Sequence, residues 1–325
     1  WCLPVNRLDW LILFYFAGAC TAGEAANGPQ QCLDIASDAP RLACYDALYG
    51  KAQSINSLTP TNEPAPLTSR LAQESDQALN LFSITAHKPN YILPVSYNSS
   101  ANYAIYGEAG EALLNDAEVK FQLSIKSLLV DNLWRGSSLW GAYTQQSYWQ
   151  LYADKEASAP FRETNYQPEL IWTIPVNFNV MGLDARMVSL GFNHQSNGRS
   201  EPLSRSWNRL TGEMVFERGR FVASAKTWFR LEEDEDEDNN PDIEDYMGRI
   251  QLGLAYKGIN NTFTFGLKNN LDSDNRSGVE FNWTFPLTER FRGFVQLYSG
   301  YGENMIDMEN ANNRIGIGIV LTDWL

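Results

Sequence analysis

From about residue 81 the chain alternates. Val119, Phe121, Leu123 and Ile125 are interleaved with Lys120, Gln122, Ser124 and Lys126, and Ile250, Leu252, Leu254 and Tyr256 with Arg249, Gln251, Gly253 and Ala255. The same holds for Val279, Phe281, Trp283 and Phe285, and for Ile315, Ile317, Ile319 and Leu321. A period of two puts each set on one face of a strand. One face is loaded with Phe, Tyr and Trp, the other with charge, amide and glycine. The pattern predicts about twelve strands, near 91–98, 118–130, 136–151, 167–176, 182–194, 205–217, 220–231, 246–257, 261–269, 277–286, 290–300 and 312–324. A soluble sandwich would alternate in the same way, so the connections decide. Four links are short: 178–181, 218–219, 258–260 and 287–289. The links between them are long and polar or acidic. Tight turns at one end and long loops at the other characterise an outer-membrane barrel, whose closure leaves no sheet edge in lipid. The expected fold is all-β: a twelve-stranded antiparallel transmembrane β-barrel over residues 81–325, with a short N-terminal periplasmic extension.

Composition sharpens this. No apolar run approaches the roughly 20 residues of a spanning helix, and the longest, Trp10 to Cys20, is about half that. Helical membrane proteins are excluded; a barrel, whose strands average out in hydropathy, is not. The chain carries 25 basic and 39 acidic residues, a net charge of −14, and no basic stripe for nucleic acid. Residues 1–19 read as a secretory signal: Arg7, the apolar run Leu11 to Phe16, then Ala17-Gly18-Ala19. Cys20 matches a lipid-attachment cysteine only loosely, because Ala17 stands where leucine is usual. Residues 20–80 read as a periplasmic extension and linker. Cys32 and Cys44, around the turn-prone Asp38-Ala39-Pro40, predict a local disulfide in an exported chain, two free thiols being the alternative. Residues 51–80, with Pro60, Pro64 and Pro66, read as linker.

The chain has two histidines. His87, at the start of the first strand, reads as an exposed structural residue. His194 differs in its company, Asn193-His194-Gln195-Ser196-Asn197-Gly198-Arg199-Ser200. In an extended chain His194 and Ser196 point the same way, roughly 7 Å apart, and a serine needs such a base to become a nucleophile. Both continue the parity of Val188, Leu190 and Phe192, the lipid-facing set, and Asn208 continues that of Leu210, Met214 and Phe216. Three polar side chains thus converge on the greasy wall near the long loops. There they are costly and read as functional, with Asn208 able to orient the imidazole. A headgroup-binding belt is the alternative. Gln145 shares a face with Leu139, Tyr143, Trp149 and Leu151 and so points to lipid, unless the strand is misregistered and it faces the lumen. The acidic run Glu232 to Asp238 lacks the spacing and glycine of an EF-hand and reads as a solvated external loop.

Residues 191–200, Ser204 to Arg209, Tyr143-Thr144-Gln145, Pro160 to Tyr166 and Tyr298 to Glu303 together resemble the signature of the outer membrane phospholipase A family, over roughly residues 81–325. The resemblance implies a calcium-dependent phospholipase that acts as a homodimer on membrane phospholipids in the bacterial outer membrane. Ser196 would be the nucleophile, His194 the general base and acid, Asn208 the imidazole orienter, and the Gly198 amide an oxyanion donor. Calcium ligands would be the Ser204 side chain, the Arg199 carbonyl and Ser158 from the partner copy, although the loop from Tyr152 to Ala159 departs in length from the family pattern. Gln145 would lie in the dimer interface. The competing readings are a passive outer-membrane channel and a structural surface barrel without catalysis.

Overall fold

The computed structural model of the chain describes residues 32, 35, 37–49, 65–78, 83–108, 113–234, 238–289 and 291–323. The signal-like segment 1–19 and Cys20 lie outside the described residues. The chain divides into two units, 1–62 and 63–325. The first contains helix α1 (Asp38–Tyr49) and a Cys32–Cys44 disulfide, Cα atoms 5.6 Å apart. Asp38-Ala39-Pro40 opens this helix instead of making a turn; an acid and a proline both suit a helical first turn, where amides lack partners.

The second unit is a closed barrel. Strands β2 (Asn90–Asn98), β3 (Ala117–Val130), β4 (Ser138–Trp149), β5 (Phe161–Val180), β6 (Leu183–Ser196) and β7 (Ser206–Arg218) pair antiparallel in chain order. They continue into β8 (Phe221–Leu231), β9 (Ile250–Lys257), β10 (Thr262–Asn269), β11 (Ser277–Pro286), β12 (Arg292–Gly300) and β13 (Asn312–Thr322), and β13 pairs back onto β2. A two-residue strand β1 (Thr85–Ala86) adds to β3. Alternation sorts the side chains as expected for lipid outside and water within: Ile315 and Ile317 are exposed on β13 while Arg314 is buried. Aromatic side chains stack along the outer wall, Phe263 on Trp283 with ring centroids 6.3 Å apart.

Strand β5 is longer at both ends than the alternation indicates. Pro168 and Pro175 interrupt the pattern, and the ladder slips between Pro175 and Phe178, an irregularity that lets a strand carry proline. At the short-turn end, β5 and β6 are joined by Met181 and Gly182, with φ of 54° and 86°. Two consecutive left-handed residues make the tight turn whose twist matches the strands.

A loop and a set of ion pairs cross the lumen. The loop from Tyr301 to Ala311 folds inward, where Glu303 accepts from Lys120 Nζ at 2.9 Å and Arg314 Nε at 2.7 Å. Arg162 bridges Glu118 at 2.9 Å and Asp307 at 2.6 Å. Trp207, Trp228, Ile243, Met247, Met305 and Met308 pack beside this network. At the short-turn end lies helix α2 (Pro66–Ala78), in a stretch expected to be linker. Leu67 packs with Val215, Val222 and Ala255. Buried Glu217 accepts from the Leu67 and Thr68 amides at 2.7 and 3.2 Å and from Thr68 Oγ1 at 2.6 Å. The first amides of a helix have no partner within it, and a strand carboxylate supplies one here. The polar remainder of α2 hides its short Leu67–Leu71 stripe from a composition reading. A cavity of about 370 Å³ remains in the lumen, lined by Lys88, Gln122 and Lys226 and also by apolar Val222, Trp228 and Met247.

His87 is not exposed. Its Nε2 lies 3.1 Å from Glu169 Oε2 and its side chain is 16% exposed, because the segment entering β2 runs along the lumen.

Candidate active site

Strands β6 and β7 pair in a register that sets His194 directly opposite Asn208 and Ser196 opposite Ser206. Lumen contacts pin the strand ends from behind. Asn193 and Gln195, of opposite parity to His194, both accept from the Arg209 guanidinium, which lies 3.9 Å over the Trp207 ring. Trp207 Nε1 donates to Gln195 Oε1 at 3.0 Å. The outward side chains therefore stand on a rigid, packed support.

On the outer face His194 Nδ1 is 2.9 Å from Asn208 Oδ1. His194, Ser196 and Asn208 are each half-buried, alongside exposed Leu190, Phe192 and Leu210. The Gly198 amide donates to Ser196 Oγ at 3.0 Å. Gly198 has φ +65°, and a Cβ there would meet the Tyr166 ring at 3.1 Å, so glycine suits the position on both counts. Among the described residues no hydrogen bond joins His194 to Ser196; such contacts often tighten only when substrate is bound.

The loop beyond β6 is braced by Asn197. Its amide nitrogen donates to the Leu203 carbonyl at 2.8 Å, and its Oδ1 accepts from the Arg205 amide at 3.0 Å. Arg199 anchors the loop to the start of β5, donating to the Phe161 and Arg162 carbonyls at 3.0 and 2.5 Å. Ser204 Oγ and Glu201 Oε1 both accept from Asn239 Nδ2, at 3.0 and 2.7 Å. Asn239 Oδ1 is buried with no partner among the described residues. Hydroxyl, carboxylate and amide oxygens, the last of them orphaned, are the ligand types a hard cation takes. Among the described residues no three His, Cys, Asp or Glu side chains gather as a metal cluster.

Ser158 is exposed at the end of a short 3-10 turn, Lys155–Ala157; among the described residues its side chain contacts none of Ser196, Arg199 or Ser204. Gln145 lies between Leu123 and Tyr166 of the flanking strands, both outward-facing. It accepts from Tyr143 Oη at 3.2 Å and donates to Ser147 Oγ at 3.1 Å. Its neighbour Gln146 lines the cavity. The acidic run is not uniformly solvated. Glu232 and Asp234 are exposed, Asp238 pairs with Arg230 at 2.6 Å, and Glu235 to Glu237 lie outside the described residues. Glu233 accepts from Asn208 Nδ2 at 3.1 Å. The pattern carried a sign of this: Phe229 and Leu231 face outward, Leu231 pairs with Asn208, and Glu233 continues their parity.

A closed barrel with an apolar wall and a lumen crossed by ion pairs defines an integral outer-membrane protein. A profile of the family Phospholipase A1 matches residues 67–321, and the chain belongs to that family of carboxylic ester hydrolases. It is 35% identical to phospholipase A1 of Escherichia coli K12, over 85% of this chain and 94% of that one. Among solved structures it is similar to an active-site asparagine-to-alanine mutant of E. coli outer membrane phospholipase A (TM-score 0.71, 35% identity, covering 77% and 97% of the two chains). It is also similar to the calcium-bound dimer of the Salmonella typhi outer membrane phospholipase (TM-score 0.70, 35% identity, covering 76% and 96%).

Proposed function

We propose that the chain is a calcium-dependent phospholipase that hydrolyses acyl esters of phospholipids and lysophospholipids from the outer wall of its barrel, and that it is active as a homodimer. The observation that carries this reading is the 2.9 Å contact between His194 Nδ1 and Asn208 Oδ1 on the lipid-facing side, with Ser196 Oγ two residues away on the same face. Asn208 Oδ1 can only accept, so His194 donates from Nδ1 and keeps the Nε2 lone pair for a proton. Ser196 Oγ then attacks the ester carbonyl and its proton passes to His194 Nε2. The tetrahedral centre collapses to an acyl-enzyme as His194 returns the proton to the departing alcohol oxygen. Water, deprotonated by the same nitrogen, attacks next; the fatty acid leaves and Ser196 regains its proton. The Gly198 amide is the chain's donor for the oxyanion.

Ser204 Oγ and the Arg199 carbonyl would hold calcium, with Ser158 contributed by a second copy. Bound there, the ion would supply positive charge to the developing oxyanion. The calcium and the dimer in the S. typhi structure support both proposals, as the asparagine mutant of the E. coli enzyme supports the role of Asn208. Gln145, outward and close to Tyr143, is suited to the interface between copies. The short-turn end of bacterial barrels is periplasmic, and α2 packs there, which supports a periplasmic N-terminal extension. The channel reading finds no support in a lumen crossed by a buried ion network.

The test is release of fatty acid from a defined diacyl phospholipid in mixed micelles, with calcium and with chelator. Ser196→Ala should abolish release while leaving the heat-modifiable electrophoretic mobility of a folded barrel. Undiminished hydrolysis by that variant removes Ser196 as nucleophile, and calcium-independent hydrolysis removes the ion from the reaction.

A further inference from the structure

An asparagine amide is nearly symmetric in shape. Either its oxygen or its NH2 group can face a neighbouring imidazole, and the two orientations have opposite consequences. With the oxygen towards His194 Nδ1, that nitrogen carries the proton and Nε2 is free to act as a base. With the NH2 group there, Nδ1 must accept, the proton moves to Nε2, and the ring cannot take a proton from serine. Nothing within the Asn208 side chain itself selects the first orientation.

Glu233 selects it. Its carboxylate, which can accept hydrogen bonds but not donate them, lies 3.1 Å from Asn208 Nδ2, and the residue is half-buried. Arg230, the base closest to it along the chain, is engaged with Asp238 instead. Resting on the catalytic reading above, we infer that Glu233 is a positioning residue: by holding the Asn208 NH2 group it keeps Oδ1 on the imidazole and so fixes the His194 tautomer. The sheet register delivers it there. Asn208 pairs with Leu231, the outward parity of Phe229 and Leu231 continues to Glu233, and the carboxylate comes in on the same side as the imidazole.

The role is separable from a structural one, because it acts only through Asn208 and needs an acceptor, not a charge. Full-length Glu233→Ala, assayed with calcium on phospholipid micelles, should lose about tenfold in kcat with KM within about twofold, a size typical of losing a group that orients a reactive residue. Glu233→Gln should stay within about twofold of the parent, since its amide oxygen still accepts. In an Asn208→Ala background, Glu233→Ala should cost nothing further, the non-additivity of two groups in one network. Unheated electrophoretic mobility checks that each variant is a folded barrel. Unchanged kcat in Glu233→Ala overturns the inference, as does the same tenfold loss with and without Asn208, or a glutamine as impaired as the alanine. Ser196→Ala run alongside keeps the two readings apart. An active Ser196→Ala sinks the catalytic site itself, whereas an inactive one beside a fully active Glu233→Ala sinks only the part given to Glu233.

Discussion

In the lumen, Lys120, Glu303, Arg314, Glu118, Arg162 and Asp307 are six charged side chains, none more than 1% exposed. On the outer wall, His194, Ser196 and Asn208 form a looser, half-buried group in which a single hydrogen bond joins imidazole to amide. Both sets are polar groups withdrawn from bulk water, yet they answer to opposite demands. A charge removed from water must be matched by an opposite charge or it destabilises the fold strongly, so the lumen set interlocks and its members are fixed. The wall set holds its imidazole by one nitrogen and leaves the other without a partner among the described residues. That nitrogen is what a proton transfer needs, whereas in the lumen even the oxygens without a hydrogen bond, Glu303 Oε2 and Asp307 Oδ1, belong to carboxylates held by opposite charges.

The contrast breaks most visibly if each set is cut in turn. The largest expected effect is His194→Ala: fatty acid release should fall by at least about a thousandfold, with thermal stability of the barrel in detergent unchanged. A parallel fall in stability would mean the wall group is structural after all. Glu303→Gln should do the reverse. It leaves Lys120 facing a neutral partner, while Arg314 keeps Glu118 at 2.9 Å, and should cost roughly 3–5 kcal/mol in unfolding free energy, while kcat of the folded fraction holds. Asn208→Ala ranks third, with kcat down about 10- to 100-fold and unfolding midpoints unmoved. Loss of activity in Glu303→Gln at full stability would erase the distinction between the two regions.

Acid supplies the smallest and most discriminating change. Burial pushes the Glu303 carboxyl up, but Arg314 and Lys120 outweigh it and hold it at about 2, against an ordinary 4.5. A carboxyl depressed on folding contributes stability above its unfolded value and loses it as the pH falls through the folded one. Barrel stability should therefore decline between pH 4.5 and 2, and the decline should be smaller in Glu303→Gln. Detergent unfolding curves across that range check it; identical acid profiles in the two proteins would refute the assignment.

Much of this was legible in the sequence. The strand count, the turn ends and the outward parity of His194, Ser196, Asn208 and Gln145 follow from a period of two, because lipid outside and water inside enforce it at every position. What escaped was non-periodic. Helix α2 carries only two inward leucines in a polar run, and its anchor, Glu217, lies about 150 residues away. Pro168 and Pro175 concealed the full length of β5, since a slipped ladder cannot be read from composition. The acidic run looked uniform, and only the pairing of Leu231 with Asn208 separates Glu233 from its neighbours. The oxygens around Ser204 are gathered by Asn239, from a loop with no sequence link to it.

The occupied interior has a consequence for the passage of solutes. A cylinder with a helix packed at one end and an ion-paired loop folded into it keeps a narrower aqueous path than the same strands would enclose when empty.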